Sequence, residues 1–235
     1  MRKTMIALWC VMVQLSANGI YATFSVEAQQ RANLAFDSSG IVNKVLVEVA
    51  TDVKKGEVLA SLNHDDLEAK VKISKIALKY AQKEYERQLK VKHLIDKSKF
   101  DAYAFKYENA KAQLRYQQSL LNKTYLKAPF DGVIYAKNVE VGDVVTGMNP
   151  KTVFKIQSKS KRKLLLAFDQ KYWKKVSVGD LFRFHVDGDE QEHQAKIAKI
   201  YPYANSDNRK IQAEVYVDGF VVGLFGDGYI VVDGE

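Results

Sequence analysis

The residues able to do chemistry are few. Asp187, Asp189, Glu190, Glu192 and His193 crowd together near one end of the chain. Carboxylates beside an imidazole are what a hydrolase would use as general acid and base. The cluster surrounds Gly188 between two alternating segments, however, which is where a solvated hairpin loop belongs. Nothing elsewhere pairs with it: there is no Gly-x-Ser-x-Gly, no phosphate-binding glycine loop and no His-Glu-x-x-His. The histidines are His64, His93, His185 and His193, and Cys10 is the single cysteine. That set supports neither an internal disulfide nor a cysteine-based zinc or iron–sulfur site. The chain is therefore read as a non-enzyme that binds neither metal nor cofactor. Lys90, Lys92, Lys97 and Lys99 offer charge instead, a basic surface suited to an acidic partner. Leu94 and Ile95 stand among them, and apolar residues left exposed at a chain reversal mark contacts.

The element that must present those residues is a run of 59 residues, Asp65 to Lys123, without Pro or Gly. Leu67, Val71, Ser74, Leu78, Ala81 and Tyr85 alternate spacings of four and three. Phe100, Tyr103, Tyr107, Ala110, Leu114, Gln117 and Leu121 do the same. This is the seam of two helices packed as a coiled coil. Asp65 and Asp66 suit a helix N-terminus. The period fades over Val91 to Lys99, where Asp96 and Ser98 supply turn or cap residues, so the chain reverses there. An arm from Asp65 to Leu94 would extend roughly 45 Å at 1.5 Å per residue. One continuous helix is the alternative, but it would carry the flanking segments apart, and only a hairpin returns the chain to its starting point.

Those flanking segments repeat each other. Gly40-Ile41-Val42, Val47-Glu48-Val49, Asp52-Val53 and Gly56 are matched by Gly132-Val133-Ile134, Val139-Glu140-Val141, Asp143-Val144 and Gly147. Each copy reads as short strands joined by turns, and the two pack on each other as a small sandwich. From about Lys163 the pattern has period two: Phe182, Phe184 and Val186 face one way, Arg183 and His185 the other. Ala195-Ile197 and Ile211-Ala213-Val215-Val217 behave alike. Gly179-Asp180, Asp187-Gly188, Asp218-Gly219 and Asp227-Gly228 read as turns. A small antiparallel barrel or sandwich is expected, with Thr23 to Phe36 adding a strand.

At the N-terminus, Arg2 and Lys3 precede the apolar run Met5 to Val13, then Gln14, Ser16, Ala17, Asn18 and Gly19. This is the order of a cleavable secretory signal peptide; a retained anchor is the alternative. The formal charge of +8 is localised, since Asp65 to Lys123 holds 14 Lys and Arg against 8 Asp and Glu. No nucleic-acid motif accompanies the charge, and nucleic acid is not expected as a partner.

Two strings carry a resemblance. Gly40-Ile41-Val42 through Val53-Lys54-Lys55-Gly56-Glu57-Val58-Leu59-Ala60 is similar to the first half-lipoyl motif of the periplasmic adaptor proteins, also called membrane fusion or HlyD-like proteins. Leu126-Lys127-Ala128-Pro129-Phe130-Asp131-Gly132-Val133-Ile134 resembles the second half, with Ala-Pro-Phe-Asp-Gly as its diagnostic string. Val178-Gly179-Asp180 and Ile200-Tyr201-Pro202 look like barrel-domain features. The resemblance implies a multidomain α+β protein, a lipoyl-like β sandwich split by an α-helical coiled-coil hairpin and followed by a small antiparallel β barrel. Its parts would be a signal peptide at 1–22, sandwich halves at 38–64 and 124–157, the hairpin at 65–123, and the barrel at 23–37 and 158–235. The membrane-proximal domain that usually follows the barrel is then largely missing.

It also implies a function. Such adaptors form periplasmic rings, usually of six copies, that join an inner-membrane transporter to an outer-membrane channel. An RND-type, proton-driven partner exporting small toxic compounds is favoured over an ATP-driven exporter. The implied docking residues are Lys90, Leu94, Ile95 and Ser98 at the hairpin tip. Lys90 replaces the family's Arg there and loses its planar fork. The Leu-to-Ser gap is shortened, Thr51 stands where Gly is common in the first turn, and no Met/His cluster marks metal handling. The half-motifs would also permit a lipoyl or biotinyl carrier, but the lysine-bearing turn it needs is replaced by the helices.

Overall fold

Alternation of apolar and polar residues and a long Gly- and Pro-free run fix where strands and helices form. In the computed structural model, residues 19–232 are described. The run Met5 to Val13, Cys10 and most of the expected signal peptide lie outside them. In chain order the elements are β1 (Gly19–Ala28), β2 (Arg31–Leu34), β3 (Gly40–Val45), β4 (Asp52–Val53), β5 (Val58–Leu62), α1 (Asp65–Lys90) and α2 (Lys97–Asn122). There follow β6 (Tyr125–Lys127), β7 (Gly132–Lys137), β8 (Val144–Val145), β9 (Phe154–Gln157), β10 (Lys161–Asp169), β11 (Leu181–Val186), β12 (His193–Ala204), β13 (Lys210–Asp218) and β14 (Phe225–Val231). Gln30–Lys159 forms one compact unit, and the chain on either side of it forms the other.

The first unit holds two four-stranded sheets, β2-β9-β7-β4 and β6-β5-β3-β8. The repeated halves exchange strands: Gly40 pairs with Val145, and Asp52 with Val133. Leu59, Leu62, Ile134, Phe154 and Ile156 fill the space between the sheets. Equivalent residues play equivalent parts. Val42 and Ile134 are buried, as are Val47 and Val139. Glu48 and Glu140 both grip the Lys137 ammonium, at 3.0 and 2.8 Å. The halves differ at one turn. Gly142 takes φ 97° in the second half, whereas Ala50, at the matching position, takes φ 70°. The left-handed residue is thus Ala50 and not Thr51, whose hydroxyl instead accepts from the Glu48 N–H at 3.0 Å.

Two boundaries differ from those read in the sequence. β2, expected in the barrel, pairs with β9, Leu34 opposite Phe154. Leu34 and Phe36 bury into the sandwich core, and that burial fixes their membership. Gly19 to Ala22, assigned to the signal peptide, lie in β1, where Ile20 and Ala22 are buried.

The helices leave the sandwich between β5 and β6. α1 and α2 each have 26 residues and run antiparallel, about 39 Å at 1.5 Å per residue. Every seam position named above is buried or half-buried, with Ser74, Ala81 and Phe100 the most enclosed. At the base, the His64 ring meets the Tyr125 hydroxyl at 3.0 Å and its Nδ1 lies 2.7 Å from the Leu62 carbonyl, tying the two crossing strands together.

The second unit is a closed six-stranded barrel, β1-β10-β13-β12-β11-β14. Phe24, Leu164, Leu166, Phe168, Phe182, Phe184 and Ile230 point inward. Gly226 and Gly228 lie within β14, so Asp227-Gly228 is not a turn. A side chain at Gly226 would strike the Phe24 ring and the His185 carbonyl, and one at Gly228 the Arg183 carbonyl. The expected turns at Gly179, Gly188 and Gly219 are present, each with positive φ. On the outer face, Glu214 is 6% exposed and accepts from Lys163 Nζ at 2.8 Å, Tyr201 Oη at 2.7 Å and Tyr216 Oη at 3.2 Å. Burial pushes its carboxyl up, but Lys163 and the two hydroxyls outweigh burial and hold it below the usual range.

Candidate functional site

The hairpin tip is built by capping. α1 stops at Lys90 rather than Leu94, because the Val91 N–H folds back onto the carbonyls of Gln88 and Leu89. A single 3-10 turn, Lys92–Leu94, follows, closed by Leu94 N–H to the Val91 carbonyl at 2.8 Å. Ile95 is extended, and Asp96 then caps α2 by accepting from the Ser98 N–H at 2.8 Å. The reversal thus takes six residues between the helices, 91–96.

Behind the tip sits an aromatic brace. Tyr85 meets Phe100 at 5.6 Å and stacks on Tyr107 at 5.3 Å between ring centroids. Lys92 Nζ lies 4.8 Å over the Phe100 ring. Lys106 reaches Glu84 at 3.4 Å across the helices. These contacts hold a firm platform, on which Leu94 is 74% exposed. Ile95 is half-buried, while Lys90 and Ser98 are exposed. Of the four residues named from sequence, Leu94 and Ile95 lie in the reversal, Lys90 ends α1, and Ser98 lies in the first turn of α2, where it gives its backbone N–H to the cap. The acidic cluster at residues 187–193 behaves as a closed loop: Asp189 accepts from the Gln191 N–H at 3.0 Å and lies 2.8 Å from His193 Nε2. Among the described residues no group of three or more His, Cys, Asp or Glu is placed to hold a metal ion.

Sequence reasoning missed a second set of apolar residues. Ile73, Ile76 and Tyr80 on α1 are 50 to 67% exposed, and Phe105 and Tyr116 on α2 are 72 and 58% exposed. Their spacing, three then four on α1, was a legible signal. They lie on the side of each helix away from the seam.

Comparison with known proteins decides the family. The model of the CzcB-like barrel-sandwich hybrid domain matches residues 30–157. The chain belongs to that family. This CzcB-like chain is 25% identical over 202 residues to an uncharacterized protein of Haemophilus influenzae, covering 85% of the chain and 52% of that relative. It thus spans about half the length of the curated relative it matches. In fold it is similar to a MacA-MexA chimeric protein containing the Pseudomonas aeruginosa MexA α-hairpin domain, with TM-score 0.82, 22% identity, and coverage of 92% of this chain and 79% of that one. The membrane fusion protein Spr0693 of Streptococcus pneumoniae R6 gives TM-score 0.72 at 17% identity, covering 92% and 99%. The likeness to these two solved structures is one of fold. No helix among the described residues is long and apolar enough to cross a membrane.

Proposed function

We propose that this CzcB-like chain is a periplasmic adaptor that links an inner-membrane transporter, of the RND type, to an outer-membrane channel for export of small toxic compounds. The helices act as a rigid coiled-coil spacer, and the tip residues Lys90, Leu94, Ile95 and Ser98 make the docking contact. The observation that carries this reading is Leu94, a leucine 74% exposed on a turn braced by Tyr85, Phe100 and Tyr107. A braced, exposed leucine loses little conformational entropy on docking and gains burial of its whole side chain. The surrounding Lys90, Lys92, Lys97 and Lys99 favour an acidic rim on the partner. The exposed stripes on the outer edges of α1 and α2 support side-by-side packing of copies into a ring, six being the expected number.

Leu94→Asp tests the docking. The variant should keep its helical content and melting temperature, since Leu94 contacts little. It should bind the channel at least about ten-fold more weakly, because burying one leucine is worth about 1.5–3 kcal/mol. Unchanged channel binding and unchanged export in a deletion strain would refute tip docking.

A further inference from the structure

The barrel carries a cleft that the docking function does not use. The antiparallel ladder of β12 and β13 slips between Ile200 and Ala204, so Tyr201, Pro202 and Tyr203 face Gln212 alone. The bulge throws these three residues outward as one wall. The opposite wall is Trp173, which follows the 3-10 turn Gln170–Tyr172 and is 63% exposed. Phe168, Ile200 and Ile211 line its base, and the open cleft has a volume of about 640 Å³. That is the size range of a single drug-like molecule.

The tyrosine wall is fixed in place. Tyr201 is held by its hydroxyl donating to Glu214 at 2.7 Å, and Tyr203 by its hydroxyl donating to Gln212 at 3.4 Å. The two tyrosine rings lie 27° from parallel, with centroids 6.1 Å apart. Pro202 has no backbone N–H to satisfy, so this stretch can stay off the ladder. The backbone N–H of Trp173 donates to the Gln170 carbonyl at 3.0 Å and closes the turn that carries the ring. Trp173 and Tyr203 are 63 and 58% exposed, and the barrel core is complete without them.

The rim is cationic. Lys174 Nζ lies 5.2 Å over the Trp173 ring, Lys199 Nζ 5.5 Å over Tyr201, and Lys171 lines the mouth itself. Among the described residues lining the cleft none is a carboxylate. Asp169 approaches Lys171 at 3.6 Å, but both are more than half exposed, and such a pair is worth little. Aromatic walls recognise a flat ring system, and ammonium groups at the mouth recognise its charge. We infer that this cleft is a binding site for a small amphipathic aromatic anion, a planar ring system bearing a carboxylate or sulfonate. The flat part slides between Trp173 and the Tyr201–Tyr203 wall, and the acid group stays at the rim beside Lys171 and Lys174.

The test uses the full chain carrying Trp9→Phe, which leaves Trp173 as its single tryptophan. The probes are 8-anilinonaphthalene-1-sulfonate and its uncharged analogue N-phenyl-1-naphthylamine. Titration should show one saturable site per chain, with Trp173 emission quenched in step with probe fluorescence. Tyr203→Ala should weaken sulfonate binding about ten-fold, the scale of one lost aromatic contact. Lys171→Gln with Lys174→Gln should weaken the sulfonate and leave the neutral probe unchanged. Both sets of positions are exposed, and an unaltered melting temperature will show that the variants are folded. Absence of saturable binding, or quenching that Tyr203→Ala does not alter, would overturn the site. Equal affinity for both probes in the parent chain would overturn its assignment to an anion.

Discussion

In the barrel, Phe168, Phe182 and Phe184 are at most 1% exposed, whereas on the hairpin Phe105 is 72% and Leu94 74% exposed. The barrel closes its sheet and buries both an apolar centre and, on its outer wall, the carboxylate of Glu214. The hairpin buries only Ser74, Ala81 and Phe100 among its two 26-residue helices. Two helices alone have one shared face, so their remaining apolar residues must face solvent or a partner. The comparison teaches that the barrel is stabilised from within, while the hairpin leaves much of its apolar surface outside its own seam.

The strongest way to break this contrast is to damage each part in turn. Phe182→Ala should cost about 3–5 kcal/mol, as for a large aromatic removed from a closed core. Leu114→Pro should cost about 3 kcal/mol or more within α2 and abolish export. Thermal melts followed by far-ultraviolet dichroism should show the proline variant losing helical signal; full activity in that variant would contradict the spacer role. Glu214→Gln is a smaller perturbation, roughly 1–3 kcal/mol for a buried charged hydrogen-bond acceptor. Its pH dependence has a definite sign. The folded-state pKa of Glu214 lies below the ordinary carboxylate value, so its stabilisation is complete above that value and disappears as pH falls through the folded one. The gap in melting temperature between parent and variant should therefore narrow in acid. A gap that widened on acidification would contradict the network.

The smallest effect sharpens the picture of the seam. Gln117 Oε1 is buried without a hydrogen-bond partner in α2. The register that stacks Tyr85 on Tyr107 carries Gln117 to the level of Ser74, so the seam contains a polar layer. Gln117→Leu should raise the melting temperature by an amount equivalent to about 1 kcal/mol. A lower melting temperature would mean that this layer is satisfied by a neighbouring copy.

What was legible in the sequence was whatever depends on local period. Leu67 through Tyr85 and Phe100 through Leu121 recur with the spacing of a helix face, and they are the enclosed positions. Phe182, Phe184 and Val186 alternate, and they are inside the barrel. The tip residues could be named because the period fails there. What depends on pairing between distant segments was not legible. Leu34 and Phe36 look like a continuation of β1, and only the sheet with β9 shows where they bury. Gly228 reads as a turn beside Asp227 but is a glycine of close approach, visible only once Phe184 lies opposite with the Arg183 carbonyl against it. Trp173 and Tyr203 are 30 positions apart, and the bulge that makes them two walls of one cleft has no local signature. The end of α1 at Lys90 depends on a bifurcated turn that no residue type announces.

The central claim is that the tip makes the docking contact. It is tested most directly by placing a photo-cross-linking residue at position 94 in cells and identifying the captured partners by mass spectrometry. The account predicts an outer-membrane channel as the main adduct, lost when the cross-linker is moved to an enclosed seam position such as Ala81. Capture of no envelope protein from position 94, with the chain folded and present at normal level, would contradict it.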